Sequence, residues 1–161
     1  MEFYISRSEE DGEPEGFDMG DMRLSSGDQG IDSKEDSRLQ MMIYLSITSL
    51  IDGLVKLKNT RSFEFIGVDS SFALLFKIKG EVLSVFYQGR FFAEASYRVF
   101  LGIIDREVDR FLAEEGISIV DSVFDDMEAS RKKSNLQSIL NRACGSFHWE
   151  LAFSKRNAAA R

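Results

Sequence analysis

SFEFIGVDSSFALLFKIKGEVLSVFY, residues 62–87, contains three runs rich in aromatic and branched side chains, at 62–68, 72–79 and 81–87. Asp69-Ser70-Ser71 and Lys79-Gly80 separate them. Runs of this composition joined by short turns predict an antiparallel meander. Side chains alternate along a strand, so Phe72, Leu74, Phe76 and Ile78 share one face of the middle run, and Ala73, Leu75, Lys77 and Lys79 share the other. One face must meet a core, while the second becomes polar toward the turn.

Upstream, Ile43, Ile47, Leu50, Ile51 and Leu54 recur at helical spacing, and Asp36 or Ser37 can accept a bond from a free first-turn N–H. Met41, Met42, Tyr44, Leu45 and Val55 widen the apolar arc and leave only a narrow strip at Ser46, Ser49, Gly53 and Lys56. A helix of this kind is covered on more than one side and is the natural lid for the meander. Downstream of Gln88-Gly89-Arg90, the series Tyr97, Leu101, Ile104, Val108, Phe111 and Leu112 marks a second amphipathic helix ending before Gly116. Residues 117–124 read as a strand. Residues 125–144 read as a third helix with Leu136, Ile139, Leu140 and Ala143 inward, and 147–153 as a last strand.

At the other end, residues 2–6 suit a short strand with Phe3 and Ile5 on one face and Tyr4 on the other. Between Arg7 and Asp36 lie five glycines and one proline among many charges, with Phe17, Met19, Met22, Leu24 and Ile31 as spaced anchors. An ordered, irregular loop with a short strand near 22–24 fits this pattern, and a disordered acidic arm is the competing reading. The expected architecture is α+β: an antiparallel sheet built around a central β-meander and packed against two or three helices. It forms a single domain over residues 1–156, with an acidic irregular loop at about 7–36 and a tail at 157–161.

The 161 residues are 43% hydrophobic with fourteen Phe, enough for one packed core. A lone cysteine, Cys144, excludes an internal disulfide, and Glu2, Glu9 and Glu10 replace the basic and apolar start of a leader. The cytosol is therefore the expected compartment. The longest apolar stretch, 39–57, carries Gln40, Asp52 and Lys56 and reads as a buried helix rather than a membrane span. The net charge of −7 is uneven. Residues 1–36 hold twelve acids against three bases, whereas 131–161 hold one against seven. An acidic first fifth attracts a basic partner and repels nucleic acid, so direct nucleic-acid binding is disfavoured.

No motif for catalysis stands out. His148 is the only histidine, and Gly145 separates it from Cys144, so an ordinary histidine is the preferred reading over a base. One Cys and one His fall short of a zinc site, and the acidic loop matches no EF-hand spacing. Gly12, Gly16 and Gly20 sit among carboxylates that would repel phosphate. Asp105 and Asp109 are one helical turn apart, but Arg106 and Arg110 alternate with them, as on an exposed helix face. No catalytic residue, metal or cofactor is assigned. The basic cluster at Arg131-Lys132-Lys133 reads as the polar face of the third helix or as a partner for the acidic loop.

FDMGDM at 17–22 and DSRLQMMIYLSI at 36–47, in a small acidic α+β chain with an early acidic loop, resemble immunity proteins of bacterial toxin systems. The contact-dependent growth inhibition group is the nearest, and the similarity spans residues 15–115 in general pattern. The resemblance implies a non-enzymatic cytosolic protein that binds a cognate toxin domain, one to one, and occludes its active site. Many such toxins are nucleases with basic grooves, which an acidic binder would complement. The candidate partner-binding residues are then Glu9, Glu10, Asp11, Glu13, Glu15, Phe17, Asp18 and Asp21, with Phe17 and Met19 either apolar anchors or core residues. A secretion-type chaperone or adaptor, dimeric and holding an extended client, is the alternative.

Overall fold

Each run of the meander forms a strand, and a fourth strand joins them. In the computed structural model, which describes residues 1–8 and 12–115, β1 (Glu2–Arg7), β2 (Met19–Ser26), β3 (Gln29–Asp32) and β4 (Met41–Met42) precede the first helix. That helix, α1 (Ile43–Thr60), is followed by β5 (Ser62–Ile66), β6 (Ala73–Lys79), β7 (Val82–Tyr87), β8 (Arg90–Ser96) and α2 (Tyr97–Glu114). The fold is α+β, and the described residues form two antiparallel sheets. One runs β5-β6-β7-β8; the other runs β1-β2-β3, with β4 also paired to β2. The expectations placed on residues 117–124, 125–144, 147–153 and 157–161, and on Cys144 and His148, lie outside the described residues.

The sequence reading missed β8. Gln88 and Gly89, both at positive φ (49° and 75°), form the two-residue turn that puts Arg90 opposite Tyr87. This backbone suits the twist of a hairpin, so the chain returns as a strand before the helical period begins. A second difference lies in the segment expected as an irregular loop, because residues 19–26 and 29–32 are strands of the first sheet. Met22 opposite Ile5, and Leu24 between Phe3 and Ile31, supply the apolar cross-strand pairs that hold it. Of the described part, only Ser8 and residues 12–18 keep an irregular path between β1 and β2.

Helix α1 also starts later than the acidic cap suggests. Asp36 caps a 3-10 turn at Ser37–Leu39, its side chain accepting from the Arg38 N–H at 3.0 Å. Met41 and Met42 are then captured beside Gly20 and Met19 of β2. The first-turn donor of Ile43 goes to the Asp18 carbonyl at 2.9 Å, so a strand contact does the work of a side-chain cap. The Asp36 carboxylate is held down to about 2 by its hydrogen bonds with Arg38.

Both helices and the inner faces of both sheets feed one core. Phe65, Phe72, Leu74, Phe76, Leu83 and Val85 meet Ile47, Leu50, Ile51 and Leu54 of α1 and Phe100, Leu101 and Ile104 of α2. Phe76 and Phe100 lie 5.8 Å apart between their ring centres, and Tyr44 of α1 lies 5.6 Å from Phe111 of α2. Each such buried side chain contributes about 1.5–3 kcal/mol. Phe3, Ile5, Met22, Leu24 and Ile31 extend the same cluster into the first sheet. No helix among the described residues is long and apolar enough to cross a membrane.

Two outcomes test this packing. A Cβ on Gly20 would stand 2.4 Å from the Ser6 carbonyl and 2.8 Å from the Ile43 side chain. Gly20→Ala should therefore lower unfolding free energy by about 1–3 kcal/mol in urea titration, although Ala is ordinarily the better strand residue. The Tyr97 hydroxyl donates to the Leu54 carbonyl at 2.8 Å, and burial, followed by the charge of Glu81, pushes its pKa from 10.0 up to about 12. A folded pKa above the unfolded one gives stability that is complete below pH 10 and lost as pH rises through about 12. Tyr97→Phe should cost about 1 kcal/mol at neutral pH and flatten the loss of stability across that alkaline window.

Candidate interaction surface

The candidate residues occupy the connection from β1 to β2, whose base is fixed by charge. Arg7 ends β1 and donates through Nη1 to Asp18 Oδ2 at 3.0 Å and through Nε to Glu115 Oε2 at 2.8 Å. Burial works against the Arg7 charge, but the hydrogen bonds to Glu115 and Asp18 outweigh it and its pKa is raised. Asp18 Oδ2 also accepts from the Glu15 N–H at 2.8 Å, and the Asp18 N–H returns to the Glu15 carbonyl at 3.1 Å. These bonds close residues 15–18 into a tight turn. At its tip Phe17 is 65% exposed, and Glu13 and Glu15 are exposed on the same segment.

The eight candidates thus divide into groups. Glu13, Glu15 and Phe17 are together and open to a partner. Asp18 is engaged with Arg7 at the foot of the turn. Asp21 is only 4% exposed and accepts from the Ser33 hydroxyl at 2.6 Å, while Ser33 Oγ accepts from the Met22 N–H at 3.0 Å. It holds the 3-10 turn at Ser33–Glu35 against β2 and presents no carboxylate to the surface. Glu9, Glu10 and Asp11 lie outside the described residues. Of the two apolar candidates, Phe17 points outward, whereas Met19 is a half-buried strand residue opposite Met42.

A second charged arrangement looked in the sequence like an ordinary exposed helix face. Glu107 is in fact 9% exposed, and its Oε1 accepts the Ile5 N–H at 2.8 Å. Arg110 Nη2 donates to the Ile5 carbonyl and to Glu107 Oε1, each at 2.6 Å, and Nε donates to Glu107 Oε2 at 2.9 Å. Glu114 pairs with the same guanidinium, which also lies 4.4 Å over the Tyr4 ring. Hydrogen bonding to Glu107, opposed by burial and reinforced by Glu114, raises the Arg110 pKa. These neighbours three and four residues apart use their reach to clasp a strand edge. The acids Asp105 and Asp109 flank this clamp, each with its own partners. Periodicity alone gave no sign of the clamp, because its partner is backbone about a hundred residues away.

Removing one side of a buried, paired charge leaves the other uncompensated and typically costs 3–5 kcal/mol. Glu107→Ala should accordingly destabilise the protein by about 3 kcal/mol or more in thermal or urea unfolding. Hydrogen exchange at the Ile5 amide should accelerate more than at amides of β6.

Comparison of the sequence with protein-family models and with curated proteins, and of the fold with solved structures, finds no match.

Proposed function

We propose that the protein is a non-enzymatic cytoplasmic binder that neutralises a toxin, an immunity protein of the contact-dependent growth inhibition type, acting on a basic toxin domain in a one-to-one complex. The observation that carries this reading is Phe17, 65% exposed beside the exposed Glu13 and Glu15, on a turn whose foot is pinned by Arg7 and Asp18. A rigidly presented aromatic ring among carboxylates combines two elements of tight recognition. The ring fills a pocket and dominates affinity, while the charges steer encounter and exclude acidic competitors. Pre-ordering by the Asp18 bonds lowers the entropy lost on binding. On this reading the acidic residues occupy the groove a nuclease reserves for its phosphate substrate.

The alternative, a chaperone or adaptor for an extended client, draws on a different surface, the outer side of β5–β8, where Ile66 and Phe91 are exposed among charged residues. The two are separated by capturing partners from the source cells with the full chain and measuring stoichiometry by light scattering. The immunity reading expects a basic protein bound one to one. Its affinity should fall steeply between about 0.05 and 0.5 M salt, as the screening length shrinks below 10 Å. Phe17→Ala should weaken binding at least about tenfold, and Glu13→Gln with Glu15→Gln should mainly slow association. Binding indifferent to salt and to all three substitutions, or a homodimer holding varied clients, would overturn it.

A further inference from the structure

Strand β1 is closed at Ile5 and open two residues earlier. Ser26 and Gln29 flank the two-residue turn at Gly27-Asp28, and Leu24 pairs with Ile31, so by alternation Ser26 and Leu24 direct their N–H and C=O to β3. The Met22 N–H points the same way, to Ser33 Oγ at 3.0 Å. Phe3 and Ile5, opposite Leu24 and Met22, therefore turn their own N–H and C=O away from β2 and toward α2. At Ile5 both are taken, by Glu107 and Arg110. At Phe3, only 6% exposed, no described residue takes either. Backbone groups buried to this degree are nearly always paired, so these two are a place where an added strand gains hydrogen bonds.

They border a groove of about 440 Å³ between the start of β1 and α2, within the roughly 300–1,000 Å³ of ordinary ligand clefts. Met1, Val99 and Ile103 make its apolar wall, and Val99 is 58% exposed. The charges on its rim leave one sign over. Glu107 and Arg110 are spent on each other and on Ile5, and Glu2 accepts from the Ser25 hydroxyl at 3.4 Å across the sheet. Arg106, by contrast, is exposed and has no ion pair among the described residues. We propose that this groove docks the C-terminal end of an extended partner chain, which adds to β1 at Phe3, sets an apolar side chain against Val99 and Ile103, and brings its terminal carboxylate to Arg106. Backbone bonds from strand addition supply affinity, and the side-chain pocket supplies selectivity. The clamp at Ile5 is the reason for a chain end. A strand added at Phe3 cannot continue past Glu107 and Arg110, so an internal segment would have to turn away, whereas a terminus simply stops. Its carboxylate and the Arg106 guanidinium then form a charge-assisted pair. The inference uses none of the residues proposed for toxin binding and is independent of that reading.

Fluorescence polarisation of labelled six-residue peptides against the full chain tests this. The set alternates threonine and valine, ends in valine, leucine or phenylalanine, and carries each end as the free carboxylate and as the amide. At least one free-carboxylate peptide should bind with Kd below about 1 mM. Its amide should bind at least about tenfold more weakly. Arg106→Gln should remove that difference, Val99→Glu should abolish binding of both forms, and Phe17→Ala should change nothing, all with the far-ultraviolet dichroism preserved. Hydrogen exchange gives the backbone readout. In the free monomer the Phe3 amide should exchange faster than those of Tyr4 and Ser6, whose bonds go to β2, and saturating peptide should slow Phe3 selectively. The proposal is overturned if no peptide of the set binds below about 1 mM, if amidation, Arg106→Gln or Val99→Glu is without effect, or if Phe3 gains no protection. Protection of Phe3 already present in the free monomer would overturn it by showing the edge closed within the chain, and protection that grows with protein concentration would do so in favour of a second copy.

Discussion

The backbone of Ile5 is the point on which the arrangement turns. Among the described residues β1 is the edge of its sheet, and an edge residue of this kind exposes an N–H and a carbonyl that need partners once buried. Glu107 takes the N–H and Arg110 the carbonyl, so side chains of α2 complete a ladder that has no further strand among the described residues. The same two residues neutralise each other, so burying them is tolerable. Through this contact the first sheet is joined to α2, and through Tyr44 and Phe111 to α1 and the meander. Without it, the small β1-β2-β3 sheet would keep its apolar face and the Arg7–Glu115 and Ile43–Asp18 bonds, but the Ile5 backbone would lose both of these partners.

Charge in this protein therefore has two separate uses. The surface acids Glu13 and Glu15 stay in water, where their charge remains exposed. Asp18, Asp21 and Glu107 are consumed by internal bonds and contribute order instead of field. The strongly acidic first 36 residues thus overstate the charge that a partner meets, and the aromatic tip at Phe17 gains weight in the recognition proposed above.

The sequence was most legible where one physical signal dominated. Alternation in Phe72, Leu74, Phe76 and Ile78, and helical spacing from Ile43 to Leu54 and from Tyr97 to Phe111, reflect burial against a core, and the observed elements follow them closely. β8 escaped because Phe91 and Phe92 straddle a bulge, which breaks the alternation that a strand reading needs. Of β2 only the short strand near 22–24 was legible, and β3 escaped, because glycines and acids dilute their few apolar pairs and because Asp21 is buried by a hydrogen bond to Ser33 twelve residues on, which no local pattern announces. Within the candidate surface, composition identified the acidic stretch, but whether Asp18 or Phe17 faced outward depended on Arg7.

The Arg7 bond to Glu115 and the Ile5 bonds to Glu107 and Arg110 join residues more than a hundred positions apart. Contacts of such separation form late, because the intervening chain must be ordered before its loop entropy is recovered. β1 leaves the ribosome well before α2, and its edge stays unclosed until α2 has been made. During that interval Phe3 and Ile5 are available to any neighbouring strand, and the charges on β1, Glu2 and Arg7, act as gatekeepers against the wrong pairing. Nascent chains stalled before residue 107 would be the species most exposed to aggregation.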